Sequence, residues 1–390
     1  MKDNFGTRSV WAGEEDYPEG SSITPVYHTV TYAYDDLDAW YDVALGRREG
    51  HIYSRNTNPT VTVFENKMKE LEGAEAATSF STGMAAISNT LFTFLKPGDR
   101  VVSIKDSYGG TSKLFLDFLP AMNVDVCLVE TGNHDEMLKE IAKGCQLVYL
   151  ETPTNPTLKL LDIELLCAAA RKQKAISVVD NTFATPINQN PLALGADLVL
   201  HSATKFLGGH SDAMGGVLCG AKSLIEQVYH YREITGATLH PMSAYLLTRG
   251  IKTLELRMQR HNSNAMQVAQ FLRDAPQVKD VFYPGLEQHT HHVIARKQMR
   301  GFGGMLAFAL HGGYDAVKVA LPKLKYAHLA AHLGSVDTLA GPPRVTSHVE
   351  NTPEEREKLG IPEGLIRYSA GIENPEDLIA DLEQALAALD

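Results

Sequence analysis

The sequence has 390 residues, of which 44% are hydrophobic and 21% charged, a composition typical of a globular protein with a large core. Its formal net charge of -11 comes without a lysine-rich run, which excludes the basic surface of most nucleic-acid-binding proteins. The polar N-terminus lacks the pattern of a targeting peptide and no apolar stretch reaches the roughly 18 residues of a membrane span, so we expect a cytoplasmic protein with small-molecule partners.

The order of the predicted elements indicates an α/β fold. Residues 1–60 are irregular and are expected to form an N-terminal arm that lies on another subunit. Residues 61–245 alternate helical segments with short runs rich in valine and isoleucine, which predicts a large domain around a mostly parallel sheet. The predicted helices are VTVFENKMKELEG and GMAAISNTLFTFL, and the predicted strands are DRVVSI, DVCLVE, QLVYLE, ISVVD and DLVLHS. Residues 246–390 begin with one long helical stretch and predict a smaller C-terminal α/β domain.

Polar turns follow several of these strands. They read SFSTGM, KDSYGGT, ETPTNP, DNTFATP and HSATK. Parallel sheets bind ligands at the carboxyl ends of their strands, so five polar turns at one edge indicate a single site.

A lysine and an aspartate at this edge suggest the chemistry of pyridoxal phosphate. Lys205 follows a buried strand, where an amine can form a Schiff base with an aldehyde. A lone lysine at a strand end is more often a surface residue. Asp180 ends ISVVD and is followed by Asn181 and Thr182, and its carboxylate suits a cofactor whose ring nitrogen must stay protonated.

Two further turns support the same cofactor. Ser81, Gly83 and Met84 lie where a strand turns into a helix, and the N–H groups of a helix N-terminus bind phosphate. Tyr108 offers an aromatic face for a ring and a phenol for proton transfer. Either feature alone has an ordinary structural explanation, so the hypothesis depends on the combination.

In this order the motifs YSRNTNP, STGMAA, YGGT, ETPTNP, DNTFATP, SATKFLGGHSD and LIRYSAGIE closely resemble the cysteine/methionine-metabolism family of pyridoxal-phosphate enzymes. The resemblance covers nearly the whole chain. It implies the fold-type I, aspartate aminotransferase-like architecture and a homotetramer built from two tight dimers with shared active sites.

The resemblance also assigns site residues. It makes Lys205 the covalent attachment point and catalytic base, Asp180 the partner of the pyridine nitrogen, and Tyr108 the stacking ring and candidate catalytic acid. Arg367 would bind the substrate carboxylate in the bidentate geometry that guanidinium favours. The remaining cofactor-binding candidates are Ser81, Gly83, Met84, Asn155, Thr182, Ser202 and Thr204, with Tyr53 and Arg55 reaching in from the neighbouring subunit.

Substrate choice is expected to depend on positions near the distal end of the substrate. Cystathionine enzymes of the family carry acidic residues at the positions of Ile52 and, in the lyases, Ala331, so cystathionine fits poorly. The family's usual serine before LG is replaced here by His332.

Other positions favour different substrates. Methionine γ-lyases typically have a cysteine at the position of Gly110, whereas Arg232 and Glu233 match their Lys-Asp pair in charge and position. Glu350, near His348, is a candidate contact for a cationic distal group such as that of canavanine, although its role as the first acid of a solvated helix start is the favoured explanation.

We therefore expect a γ-lyase that eliminates a Cγ group from a methionine-like or other γ-substituted L-amino acid, with canavanine as one candidate. The products would be 2-oxobutyrate or a vinylglycine-derived compound, and ammonia. The first alternative is γ-replacement on O-acetyl- or O-succinylhomoserine, as in cystathionine γ-synthases and homoserine sulfhydrylases. The second is a non-catalytic regulator that binds pyridoxal phosphate.

Two residue groups are not expected to bind metal. The four cysteines Cys127, Cys145, Cys167 and Cys219 lack CxxC spacing, which favours reduced thiols. The histidine cluster HTHH at 289–292 is interpreted as a polar loop, because no acidic or cysteine partner lies at ligand spacing.

Overall fold

The computed structural model describes residues 4–14, 17–349 and 352–389. Its helices are α1 Phe5–Trp11, α2 Leu37–Ala44, α3 Pro59–Glu72, α4 Gly83–Phe94, α5 Gly109–Lys113, α6 Leu119–Ala121, α7 His134–Ala142, α8 Ile163–Lys172, α9 Thr185–Asn188, α10 Lys222–Thr235, α11 Pro241–Ile251, α12 Leu254–Asp274, α13 His292–Gln298, α14 Gly313–Ala320, α15 Pro353–Lys358 and α16 Pro375–Leu386. Its strands are β1 Ala76–Phe80, β2 Arg100–Ile104, β3 Asp125–Val129, β4 Leu147–Glu151, β5 Ile176–Asp180, β6 Leu198–Ser202, β7 Gly216–Gly220, β8 Val278–Phe282, β9 Met305–Leu310, β10 His328–Leu329, β11 Leu339–Gly341 and β12 Leu365–Ser369.

The larger sheet has seven strands in the order β1-β7-β6-β5-β4-β2-β3. Only β7 runs against its neighbours, so the predicted α/β fold with a mostly parallel sheet is confirmed. Each of the five predicted strands forms within its predicted run. The pattern of valine and isoleucine did not single out β7, whose residues GVLCG include two glycines and are all buried.

The smaller sheet has five strands in the order β10-β11-β12-β9-β8. The long helix predicted before it is interrupted, because α11 ends at Ile251 and α12 begins at Leu254. Strand β12 pairs with β9 and β11 and is buried along its whole length. The division of the chain at residues 60 and 245 remains a prediction.

Near the start of the chain, α1 packs on α3, and α3 packs on the larger sheet. The fully buried ammonium of Lys67 lies 2.9 Å from a carboxylate oxygen of Glu14 and donates to the carbonyl of Ser9. A buried ion pair of this kind needs both partners, since either charge alone would be costly to bury. It therefore fixes residues 9–14 against α3.

None of the helices in the described ranges has the length and apolar character needed to cross a bilayer. The four cysteines are free thiols, as predicted.

Candidate active site

A cavity of about 270 Å³ opens at the carboxyl ends of β1, β2, β4, β5 and β6. All five predicted polar turns contribute to its wall, which confirms that they converge. Its lining consists of Thr82, Gly83, Met84, Ile87, Tyr108, Glu151, Pro153, Asn155, Asp180, Thr182, Phe183, Ser202, Thr204, Lys205, Ala331, Leu333, Thr346, Ser347 and Arg367.

Asp180 is held by hydroxyl and N–H donors at the end of β5. One carboxylate oxygen accepts hydrogen bonds from the backbone N–H of Thr182 at 3.0 Å and from its hydroxyl at 2.5 Å. The other oxygen accepts from the hydroxyl of Tyr149 at 3.4 Å. Burial raises the pKa of Asp180, while the bonds from Thr182 favour its charged form. A charged carboxylate in this place is suited to pair with a protonated ring nitrogen.

Glu151 is a site residue that the sequence reasoning did not single out. It ends β4 directly beside Asp180 in the strand register, and its carboxylate accepts the backbone N–H of Tyr108 at 2.8 Å. Burial and the neighbouring Asp180 raise the pKa of Glu151 well above its ordinary value. Asp180 was predicted because it is an acid at the end of a buried strand. Glu151, the first residue of ETPTNP, meets the same criterion.

The N-terminus of α4 borders the cavity. Thr82 caps this helix by accepting the N–H of Ala85 at 3.0 Å, whereas the N–H groups of Gly83 and Met84 belong to the first turn and have no intrahelical acceptor. A Cβ on Gly83 would lie 2.6 Å from the Cβ of Ser202, so only glycine lets the helix approach β6 this closely.

The hydroxyl of Thr204 is already engaged. It donates to the carbonyl of Gly215 at 3.2 Å and accepts the N–H of that residue at 3.1 Å. The N–H of Ser202 donates to the hydroxyl of Thr182 at 2.9 Å, which ties β6 to the turn after Asp180. Ser202 and Thr204 both line the cavity, and Thr204 also braces the loop before β7.

Lys205 lies between this cavity and a second, larger one of about 1180 Å³ that shares Thr204 and Lys205 with the first. Its Nζ is 3.1 Å from Nδ1 of His332. Burial, followed by the positive charge of Arg367, lowers the pKa of Lys205 to about 8. The amine is thus much closer to its free-base form at neutral pH than an exposed lysine.

Arg367 extends from β12 into the opposite wall. It donates to Oδ1 of Asn155 at 3.2 Å and to the carbonyl of His332 at 3.0 Å. Burial lowers its pKa to about 10, so the guanidinium remains charged at neutral pH. A fixed, buried guanidinium with no carboxylate among these partners is a ready site for a carboxylate ligand.

Tyr108 is 45% exposed, and its ring borders the cavity at the start of α5. The Glu151 carboxylate holds its backbone in place. A ring that is fixed at its backbone and open to the cavity can stack on a planar ligand.

These groups fit pyridoxal 5'-phosphate by their chemistry. The cavity offers an amine for the aldehyde, a carboxylate for the ring nitrogen, an aromatic face for the ring and a helix N-terminus for the phosphate.

Comparison with known proteins agrees with this geometry. Residues 6–387 match the family described as Cys/Met metabolism PLP-dependent enzyme. The chain belongs to this family.

Members of the Cys/Met metabolism family with different reactions resemble the chain along its whole length. An L-methionine γ-lyase of Fusobacterium nucleatum subsp. polymorphum is 45% identical over 99% of this chain and 98% of that protein. A cystathionine γ-lyase of Bacillus subtilis is 42% identical over 95% of this chain and 96% of that protein. The crystal structure of cystathionine γ-synthase from Xanthomonas oryzae pv. oryzae with aminoacrylate and cysteine superposes with a TM-score of 0.94 at 36% identity, covering 99% and 98% of the two chains. The protein is therefore an enzyme of fold type I whose cofactor is pyridoxal 5'-phosphate.

Some candidate residues of this family member lie away from the first cavity of their own chain. Tyr53 and Arg55 are exposed, with the guanidinium over the tyrosine ring, and do not line it. Ile52 is also absent from the lining, and its carbonyl accepts the N–H of Tyr32. Ser81 and His332 line the second cavity instead.

Of the other substrate candidates, Ala331 borders the first cavity. Glu350 lies outside the described residues. Arg232 does not line this cavity and donates to the carbonyls of Ser79 and Asn56, while Glu233 accepts from the Asn56 side chain. Within one chain, Arg232 and Glu233 therefore hold the loop after the YSR motif in position.

Residues 289–291 of HTHH form a loop, as predicted, but His289 and His291 are partly buried and His292 begins a helix. His291 accepts the backbone N–H of Leu160 through Nδ1, and burial lowers the pKa of both His289 and His291 to about 4. The neutral ring of His291 thus ties the segment to the backbone at Leu160.

Proposed function

We propose that this enzyme catalyses γ-elimination from an L-amino acid with a leaving group at Cγ, giving 2-oxobutyrate or a vinylglycine-derived product and ammonia. The observation that carries the proposal is the convergence of Lys205, Tyr108 and Arg367 on one cavity floored by Asp180. For an amino-acid substrate, Lys205 would be the base, Tyr108 the acid and Arg367 the site for the carboxylate. The methionine γ-lyases among the relatives support elimination over other outcomes.

The bound cofactor would supply an electron sink for carbanions at Cα and Cβ, and Lys205 would be its covalent attachment point. Asp180 would keep a proton on the ring nitrogen. Gly83, Met84 and Ser202 would bind the phosphate, and Thr182 would hold Asp180 in its charged form.

The remaining residues would handle the substrate. Arg367 would bind its α-carboxylate and so orient the Cα–H bond toward Lys205, which accepts that proton as the free amine. Tyr108 would donate a proton to the group leaving Cγ. Asn155, by accepting from Arg367, keeps the guanidinium in position.

The distal wall favours a neutral leaving group. Ala331, Thr346 and Ser347 border the cavity, and we assign them to the distal wall; none of these side chains carries a charge. We therefore infer a methionine-like substrate. Canavanine is the second candidate, and it depends on Glu350 supplying a negative charge for the guanidino-oxy group.

A second candidate function, γ-replacement on an acylated homoserine, is supported by the TM-score of 0.94 with a cystathionine γ-synthase. Both reactions use the same residues up to the point where Cγ loses its group. They differ in whether a thiol then reaches that carbon.

A substrate panel without added thiol separates the candidates. The panel contains methionine, homocysteine, O-acetylhomoserine, O-succinylhomoserine, cystathionine and canavanine. We expect purified enzyme to release ammonia and an oxoacid, and the relative rates across the panel identify the preferred leaving group. The Lys205→Ala variant serves as the inactive control. Turnover that requires both an acylhomoserine and a thiol would replace the lyase proposal with γ-replacement.

We also infer a homotetramer of two tight dimers with active sites shared between subunits. Exposed apolar residues are concentrated in the arm, where Trp11 and Leu37 are 69% and 73% exposed. Such surfaces are typical of protein interfaces. The cytoplasmic location remains a prediction.

A further inference from the structure

His332 contacts the lysine of the site directly. It lies in the loop between β10 and β11, and its Nδ1 is 3.1 Å from Nζ of Lys205. The carbonyl of the same residue accepts a hydrogen bond from Nη2 of Arg367 at 3.0 Å. One residue therefore fixes both the amine and the guanidinium of the cavity.

The ring of His332 is suited to accept a hydrogen bond. Burial, with the positive charges of Lys205 and Arg367, lowers the pKa of His332 to about 4, so the ring is neutral at pH 7. A neutral ring that accepts at Nδ1 carries its proton on Nε2. That nitrogen is buried and has no hydrogen-bond partner within the ranges the structure describes. A histidine kept for packing alone would normally have both ring nitrogens satisfied.

Other ionisable groups face the two cavities that meet at Lys205. Those of the first cavity are Tyr108, Glu151, Asp180 and Arg367, and those of the second are Asp212, His240, His328 and Asp337. The structure gives none of them a hydrogen bond to the Lys205 amine. His332 is therefore the group best placed to control it.

We propose that His332 is a positioning residue that accepts a hydrogen bond from the Lys205 amine and thereby sets where the amine stands and how readily it releases its proton. The inference uses the proposed role of Lys205 but not the proposed substrate. It gives a function to the position at which this chain departs from the family's serine.

Reloading of the apoenzyme tests this without any amino-acid substrate. In that reaction Nζ of Lys205 forms a bond to the aldehyde carbon of pyridoxal 5'-phosphate, and the aldehyde oxygen leaves as water. Only the unprotonated amine starts the attack, so the rate of appearance of the visible absorption band reports its ionisation. The rate is measured from pH 6.5 to pH 10 for the wild type and for a pair of similar shape, His332→Leu and His332→Asn.

The leucine variant should differ in two ways. Loss of an acceptor that stabilises the ammonium form shifts the midpoint of the pH profile below the wild-type value, by about half a unit or more. Loss of the hydrogen bond that orients the amine lowers the plateau rate at high pH about fivefold. The asparagine variant, whose Oδ1 can take the place of Nδ1, should restore both quantities toward the wild type.

A wild-type midpoint and plateau in the leucine variant would overturn the proposal, as would an asparagine variant that behaves like leucine. Should the leucine variant fail to fold, His332→Ala supports the same comparison. Because reloading needs no substrate, failure of γ-elimination in the substrate panel would leave this result standing, and the reverse also holds.

Discussion

Glu151 and Asp180 are register partners at the ends of neighbouring parallel strands, so two buried carboxyl groups stand side by side in the cavity. Two adjacent carboxylates cannot both ionise cheaply in such a place. Asp180 receives two hydrogen bonds from Thr182, whereas Glu151 has the pKa that is raised well above its ordinary value. The charge is therefore assigned to Asp180 and the proton to Glu151.

The first prediction is that Glu151→Gln stabilises the apoenzyme at neutral pH. With its pKa raised in the folded state, Glu151 binds a proton that the unfolded chain releases above its ordinary pKa of 4.5. The free energy of unfolding of the wild type therefore falls as the pH rises above 4.5. Glutamine does not titrate, so the variant avoids this loss. We expect the variant's free energy of unfolding to exceed that of the wild type by at least about 1 kcal/mol at pH 8, with the gap closing toward pH 4.5.

Urea unfolding of the apoenzyme at several pH values measures this gap. Glu226→Gln, at a largely exposed position of α10, is the matched control and should show no such trend. A constant gap at all pH values would mean that Glu151 is ionised in the folded protein.

The second prediction is that Asp180→Asn lowers kcat/KM about a hundredfold or more, because a buried charged partner of the cofactor ring is replaced by a neutral one. Tyr149→Phe is the control. It removes only a 3.4 Å contact to the same carboxylate and should cost less than about threefold. Steady-state kinetics with the best substrate of the panel measure kcat/KM for both variants. Similar losses of kcat/KM in the two would contradict the role given to Asp180.

The third prediction is that Gly110→Ala displaces the ring of Tyr108. A Cβ at this position would lie 2.8 Å from Sδ of Met84 and 2.9 Å from Cε1 of Tyr108. Both neighbours are side chains, so the protein should still fold while kcat falls about tenfold or more through misplacement of the acid. Lys113→Ala, on the same helix, is the control.

A double variant, Gly110→Ala with Met84→Ala, checks the mechanism. It should lose less than the product of the two single losses, because removing the methionine side chain relieves one of the two contacts. Strict additivity would show that the crowding is not responsible.

The fourth prediction is that Arg367→Lys raises KM for the amino-acid substrate about tenfold to a hundredfold, since lysine lacks the two-pronged geometry for a carboxylate. The visible absorption of the loaded enzyme should be unchanged. Arg344→Lys, at a partly exposed arginine that pairs with Glu363, is the control. An unchanged KM with a reduced kcat would remove Arg367 from substrate binding.

The fifth prediction concerns Tyr53 and Arg55, which are exposed on the chain that carries them. If Arg55 completes the partner's site, co-expressed Lys205→Ala and Arg55→Ala subunits should form hybrids with one intact site. Random pairing then restores about a quarter of wild-type activity from two inactive variants. No recovery, with mixed dimers present by mass spectrometry, would place Arg55 in its own chain's site.

The sequence by itself indicated five strands of the large sheet, the cofactor and the set of turns that surround it. Strand periodicity and the residues just beyond each strand are local properties, and parallel strands bring their carboxyl ends together whatever the details of packing. That is why Asp180, Lys205 and the Gly83 turn were predictable.

Only the tertiary structure decided how those residues act on each other. The pairing of Glu151 with Asp180 depends on strand register, and the contact of His332 with Lys205 depends on how the loop after β10 packs against the large sheet. The close approach of Met84 and Tyr108 to Gly110 likewise arises from side chains that meet in space. Such contacts have no periodic signature, because they join segments that only the packed core brings together.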